Sequence, residues 1–229
     1  MNDILRSLDQ ALRLIAAGDA SLAAIIALSL RVTGLALLVS TLGGVPLGAA
    51  LGLSRTRLRG LVTALLYTGM GLPPVVVGLF VYLLLSRSGP LGAWGWLFTP
   101  SAMILAQTVI AFPVVTSLTM TAVQGVDPAL RVQVRALGAT SRQEAWAVLL
   151  EARIGVVAAI VAAFGSIISE VGAVMLVGGN IAGKTRVLTT AIVLETRQGD
   201  FSLALALGVI LLVLAFAANL AFLRLQGRD

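Results

Sequence analysis

The chain has 229 residues, of which 59% are hydrophobic and 11% are charged, with a formal net charge of +6 and a mean hydropathy of +1.03. Soluble domains carry roughly 25% charged residues, so a chain this depleted cannot cover its surface with polar groups. It contains no cysteine and no histidine, which excludes disulfides, thiolate nucleophiles, imidazole bases and the usual zinc sites. The composition predicts a polytopic membrane protein in a lipid bilayer. Its 16 cations are more typical of membrane flanks than of a nucleic-acid surface.

Residues 1–20 form the first predicted element. Apolar residues recur there at helical spacing, and charged residues lie mostly opposite them: Ile4, Leu8, Leu12 and Ile15 against Asp3, Arg6, Asp9 and Arg13. This pattern predicts an amphipathic helix on the membrane surface. The aspartates interrupt the apolar core that a cleavable signal sequence would need.

Five long apolar segments follow, at 32–53, 61–85, 101–124, 154–177 and 203–223. Each is long enough to cross a hydrocarbon core of about 30 Å at about 1.5 Å per residue. The apolar run before the first span begins at Ser21 and is interrupted by Arg31. We therefore expect Arg31 at an interface and residues 21–30 outside the core, in an all-α protein with five transmembrane helices.

Five spans place the two termini on opposite sides of the membrane. The connections 54–60 and 125–153, together with the C-terminus, share one face with nine cations, and the other face carries seven. By the positive-inside rule, the first face is predicted to be cytoplasmic and the N-terminus to lie outside.

The segment GGNIAGKT, residues 178–185, matches the phosphate-binding pattern G-x-x-x-x-G-K-[ST]. That pattern binds nucleotides only between a strand and a helix, whereas a predicted membrane helix precedes it here, on the outer side. We therefore expect no ATP site in this chain. The turn Gly178-Gly179-Asn180 could offer backbone N–H groups to an anion, or it could be a plain tight turn.

Residues 125–153 form the longest polar stretch of the chain. Asp127 followed by Pro128 predicts a helix start, with the aspartate as N-cap and the proline at the first helical position. Gly138 permits a sharp break between two short helices. A solvated connector is the alternative interpretation of this stretch.

The stretch R-A-L-G-A-T-S at 135–141 resembles the cytoplasmic signature loop of ABC importer permeases, E-A-A-x-x-x-G followed by I-x-L-P. Gly138 aligns with the glycine of that signature, and Val148 and Leu150 match its apolar positions. The sequence departs from the pattern at 132–134, where Val-Gln-Val replaces E-A-A, and at Glu151, which replaces the proline.

Three further stretches indicate which group of ABC importer permeases the chain resembles. LLEAR at 149–153 and TRVLTTAIVLETRQGDF at 185–201 resemble tungstate-type permeases. ISEVGAVMLVGGNI at 168–181 resembles a segment of molybdate and sulfate permeases. Together these resemblances cover residues 27–224, an ABC-importer transmembrane domain of the type I permease fold with its coupling loop at 125–153.

The resemblance implies a homodimeric permease in a prokaryotic plasma membrane. It implies that an extracytoplasmic binding protein delivers a tetrahedral oxyanion, tungstate first and molybdate or sulfate as alternatives. Two cytoplasmic ABC ATPase subunits would bind ATP and magnesium, so no cofactor is expected on this chain. The residues implied to dock on the ATPase are Arg135, Ala136, Leu137, Gly138, Ala139, Thr140 and Arg142.

Helix-breaking residues lie near the middles of the first three spans: Gly44, Pro46, Pro73, Pro74 and Pro113. Proline removes a helical donor and bends a helix, and the freed carbonyl groups survive at membrane depth only inside protein or against water. Transporters use such broken helices for passage and gating, so we predict a pore or gate here. Kinks that serve only packing are the alternative.

Glu170, after Ser169, is the one acidic residue deep in a predicted span. A carboxylate would repel an oxyanion, so we expect it to pair with an arginine or a hydroxyl and hold a gate, or else to be a satisfied structural glutamate. An ion-coupled secondary transporter remains the alternative from another class, but it would need more intramembrane charge. A membrane enzyme would need a catalytic set that the sequence does not display.

Overall fold

The computed structural model describes residue 13 and residues 20–54 and 59–226. These residues form ten α-helices and one 3-10 turn at Gly92–Trp94, with no strand among them, so the predicted all-α class is confirmed. The helices are α1 (Ala20–Leu53), α2 (Arg59–Met70), α3 (Pro74–Leu85), α4 (Pro100–Gln124), α5 (Pro128–Ala136), α6 (Ser141–Glu151), α7 (Arg153–Ile168), α8 (Gly172–Gly178), α9 (Leu188–Gln198) and α10 (Phe201–Gln226).

Helices α1, α4 and α10 are each long and apolar enough to cross a membrane. Two bent pairs, α2 with α3 at 99° and α6 with α7 at 64°, raise the number of possible crossings to five within the described residues. The number agrees with the predicted five spans. The predicted amphipathic helix at 1–20 lies outside the described residues except for Arg13 and Ala20.

The first predicted span is longer than expected. Helix α1 is continuous over 34 residues, so residues 21–30 and Arg31 belong to the same helix as 32–53. No proline or glycine lies between Ala20 and Thr33 to end it. At about 1.5 Å per residue it is about 50 Å long and extends beyond a hydrocarbon core. Its first half packs on α9, where the Leu188 N–H donates to Ser29 Oγ at 2.9 Å.

The predicted fourth span, 154–177, is wrong as a single helix. Helix α7 ends at Ile168, residues 169–171 are not helical, and α8 is a separate helix of seven residues. The apolar run continues through the break, so hydropathy alone could not detect it. Helix α9 was not predicted either, because its residues are too polar to read as a span.

Helix α4 lies at the centre of the core and packs against α1, α2, α7 and α8. Its contact with α1 depends on small residues at four-residue spacing, Gly44, Gly48 and Gly52, all buried. A methyl group at Gly48 would overlap the Thr116 carbonyl oxygen, and one at Gly52 would lie 2.7 Å from Val123 Cγ1. The absent side chains let the two helix backbones approach closely.

Candidate functional site: two helix breaks and the 125–153 loop

The first helix break separates α2 from α3 at residues 71–73, and the two helices meet at 99°. Pro73 is the N-cap of α3, with extended backbone angles, and Pro74 is its first residue. A proline at this position loses no hydrogen bond, because the first N–H groups of any helix lack intrahelical partners. The two prolines thus start a new helix and do not interrupt an existing one.

The second break, residues 169–171, contains Glu170, which is buried at 8% exposure. Its Oε1 accepts the Ala173 N–H at 2.9 Å, so the carboxylate caps the N-terminus of α8, where negative charge is favourable. Its carbonyl oxygen accepts the Thr189 hydroxyl at 2.9 Å. The expected pairing of the carboxylate with an arginine or a hydroxyl is wrong, because its partner is a backbone N–H. The geometry favours the structural alternative.

The two breaks lie side by side. A methyl group at Gly172, the first residue of α8, would lie 2.6 Å from Val75 Cγ2 near the start of α3. One at Gly78 would lie 2.5 Å from Ala173 Cα. The first two turns of α3 therefore pack closely on the start of α8. This contact brings the region of Pro73 and Pro74 next to that of Glu170.

The other predicted gate residues do not all lie at this contact. Pro113 is buried within the continuous helix α4, and a methyl group at Gly69, just before the first break, would lie 2.9 Å from its Cβ. Gly44 is buried against Val115 and Thr116 of α4, which makes it part of the α1–α4 packing. Pro46 is exposed on α1, and Ser169 donates to the Gly165 carbonyl at 2.9 Å.

Gln107 is a site residue that the sequence analysis missed. It is 4% exposed, and its Nε2 donates to the Ile167 carbonyl in the last turn of α7 at 2.9 Å. This bond ties α4 to the helix end just before the second break. A buried amide in an apolar environment is costly unless it is hydrogen-bonded. A glutamine well inside the predicted span 101–124 was the signal that could have identified it.

The GGN turn is closed by its own hydrogen bonds. Gly179 and Asn180 have φ values of +73° and +50°, and the Gly179 N–H donates to the Met175 carbonyl at 2.9 Å. The Thr185 hydroxyl donates to the Gly178 carbonyl at 2.6 Å and accepts the Ile181 N–H at 2.9 Å. Helix α8 precedes the turn, so GGNIAGKT lacks the strand context of a phosphate site. The predicted anion contact stays a prediction, and the Gly179 N–H already has a partner.

The 125–153 loop forms two short helices joined at Gly138. Asp127 accepts the Ala129 N–H at 2.8 Å and caps α5, as predicted. Gly138 has φ +85°, a conformation that glycine adopts without strain. Thr140 and Gln143 form a capping box at the start of α6. The starts of both helices and the turn between them therefore follow from local sequence signals.

The hairpin is braced by one ion pair and exposes its turn. Arg135 Nε lies 2.6 Å from Oε2 of Glu144, which is buried. Leu137, beside Gly138, is 87% exposed, and Arg142 is exposed at the start of α6. The turn at Leu137 and Gly138 is therefore the exposed end of the hairpin.

Comparison with known proteins identifies the family. Residues 44–228 match the family described as binding-protein-dependent transport system inner membrane components. The chain belongs to this family. A probable anion ABC transporter permease from Haloferax volcanii is 47% identical over 212 residues, covering 90% of this chain and 91% of that protein. A tungstate uptake system permease from Peptoclostridium acidaminophilum is 39% identical over 216 residues, covering 94% and 95%.

The fold agrees with this assignment. A solved structure of the MetNI methionine ABC transporter in an inward-facing conformation aligns with a TM-score of 0.73 and 21% identity, covering 90% of this chain and 94% of that one. The chain is thus a multi-pass membrane permease subunit of an ABC importer and not an enzyme. ATP hydrolysis in such importers is carried out by a separate subunit. The resemblance stated from the sequence motifs is confirmed.

Proposed function

We propose that this permease carries a tetrahedral oxyanion, tungstate first, across a prokaryotic plasma membrane. The observation that carries the proposal is the match to a tungstate permease along nearly the full length of both chains. Molybdate and sulfate are the runners-up, because their permeases share the motif at 168–181. The described residues at the two helix breaks form no dedicated oxyanion pocket, and selection by a separate binding protein fits the chain.

The path is proposed to run beside the two adjacent breaks, 71–73 and 169–171. Both segments leave backbone groups outside helices, and such groups are tolerated at membrane depth only inside protein or beside water. Gly71, Leu72 and Pro73 are exposed in the single chain. Hydrocarbon cannot satisfy that exposed backbone, which supports a homodimer in which the second copy faces the first break and closes the path.

The α5–α6 hairpin is proposed to dock on a cytoplasmic ABC ATPase that binds ATP and magnesium. Its exposed Leu137 and its positive-φ Gly138 support this role. We expect Gly138→Val to abolish ATPase co-purification, because a β-branched residue is strongly disfavoured at positive φ. Gly138→Asn is the matched control, because asparagine tolerates that conformation. Equal co-purification of both variants with the ATPase would contradict docking through this turn.

Reconstitution tests the transport function directly. The permease, its ATPase and its extracytoplasmic binding protein are placed in proteoliposomes, and tungstate uptake is measured with molybdate and sulfate as competitors. We expect uptake that requires ATP and the binding protein, with tungstate the strongest competitor. Uptake driven by an ion gradient without the ATPase would favour the secondary-transporter alternative and overturn the proposal.

A further inference from the structure

A cleft of about 800 Å³ lies between the end of α1, the start of α2 and the helices α5 and α6. Three arginines from two separate elements line it, Arg59 of α2 and Arg131 and Arg135 of α5. Glu144 of α6 is the acidic residue in the lining. The cleft lies apart from the two helix breaks and beside the inner side of the proposed ATPase-docking hairpin.

The side chains that line the cleft carry more positive than negative charge. Glu144 is already paired with Arg135 at 2.6 Å. Arg59 donates one N–H to the Ser54 carbonyl at 3.2 Å, and most of its five donors have no partner among the described residues. Arg131 is half-buried, and no carboxylate among the described residues pairs with it or with Arg59. Two guanidinium groups therefore face the cleft without a counter-charge from this part of the chain.

Arginine binds tetrahedral dianions well, because its planar guanidinium donates two parallel hydrogen bonds to two oxygens of one group. A tetrahedral dianion would supply the two negative charges that the cleft lacks. The cleft lies on the face that carries the 125–153 loop, which is the face onto which the proposed importer releases its substrate. A phosphate headgroup of an anionic lipid has the same chemistry and is the other possible source.

We propose that this cleft is an oxyanion site apart from the membrane path, and that it holds a free tetrahedral oxyanion after the ion leaves the path on the cytoplasmic side. The inference rests on the proposed function, because the direction of transport supplies the ligand. Arg131 and Arg59 are its binding residues, and the Arg135–Glu144 pair joins α5 to α6 in the lining of the cleft.

Equilibrium binding of radiolabelled tungstate tests the site. The permease–ATPase complex is placed in phosphatidylcholine nanodiscs without binding protein. We expect saturable binding that Arg131→Gln weakens by about tenfold or more, the loss typical of a charge-assisted hydrogen bond. Arg59→Gln serves as a second variant if the first unfolds. Arg87→Gln, an exposed arginine at the end of α3 on the other predicted face, is the matched control and should bind as the wild type does.

Three results would overturn the proposal. The first is binding to Arg131→Gln and Arg59→Gln that equals binding to Arg87→Gln. The second is no saturable binding to the wild type. The third is loss of tungstate binding in discs that contain phosphatidylglycerol, which would assign the cleft to a lipid headgroup. Uptake is measured in parallel with the same variants. Uptake by the wild-type complex without saturable cleft binding overturns only this inference, whereas cleft binding by the wild-type complex without uptake overturns the proposed function.

Discussion

Glu170 combines a charged side chain, deep burial and a position at a helix break. Its carboxylate accepts the Ala173 N–H, and the amide oxygen of a glutamine can accept the same hydrogen bond. We expect Glu170→Gln to keep the cap and to unfold near the wild-type temperature. Glu170→Leu removes the cap, which costs about 1 kcal/mol, and lowers the melting temperature by about 2–4 °C for a chain of this size.

Thermal unfolding and uptake per folded protein check this prediction together. If Glu170→Gln loses as much stability as Glu170→Leu, or loses uptake at normal stability, the charge itself is required. This result would support the predicted role of Glu170 in holding a gate.

For Glu170, the sequence predicted the unusual residue but not its hydrogen-bond partner. The sequence identified Glu170 as unusual because charge in an apolar run is costly wherever it lies. Its partner could not be predicted, because the break that exposes the Ala173 N–H depends on distant groups. Gln107 holds the end of α7, and Thr189 holds the Glu170 carbonyl. Neither contact has a local signal.

At the scale of elements, the α1–α4 contact gives a sharp test of close packing. Gly48→Ala would place a methyl group against the Thr116 carbonyl, and overpacking of this kind costs about 1–3 kcal/mol. Gly34→Ala, in the same helix, is the matched control because nothing lies within 4 Å of that position. We expect lower folded yield and melting temperature for Gly48→Ala and none of this for Gly34→Ala. Similar behaviour of the two variants would show that the helices do not pack through this stripe.

The prolines give a second test at this scale. Pro113 lies inside α4 and Pro74 at the first position of α3, so only Pro113→Ala can restore an intrahelical hydrogen bond. If Pro113 shapes the path, uptake per folded protein falls by more than half in Pro113→Ala at an equal or higher melting temperature. A fall in uptake that only follows loss of folded protein would assign Pro113 to packing. Pro74→Ala is the control for stability.

Elements that depend on residues close in the sequence could be predicted, whereas elements that depend on contacts with residues distant in the sequence could not. The N-cap at Asp127 and the turn at Gly138 follow from local chemistry, and both predictions are confirmed. The spans at 101–124 and 203–223 follow from hydropathy and match α4 and α10. Helices α8 and α9 depend on tertiary contacts, because α8 is too short and α9 too polar to be identified from composition.

At the scale of the whole molecule, orientation in the membrane is the open prediction. The chain has no cysteine, so labelling of a single introduced cysteine shows on which side of the membrane that residue lies. Lys184 and Leu137 are both exposed. We expect a membrane-impermeant thiol reagent to label Lys184→Cys in intact cells and Leu137→Cys only after permeabilisation. The unsubstituted chain is the control and should not be labelled, and the reverse pattern would invert the topology.

Helix α8 has a consequence for how the protein enters the membrane. Its seven residues span about 10 Å, too short to cross the bilayer and too short to be stable alone. It is held at its start by Glu170 and by α3, and at its end by the Phe98 N–H, which donates to the Val177 carbonyl at 2.9 Å. The translocation machinery therefore cannot insert this segment as an independent span. We expect residues 169–178 to pack into place after α3 and α4 have entered the bilayer, because both helices precede them in the chain.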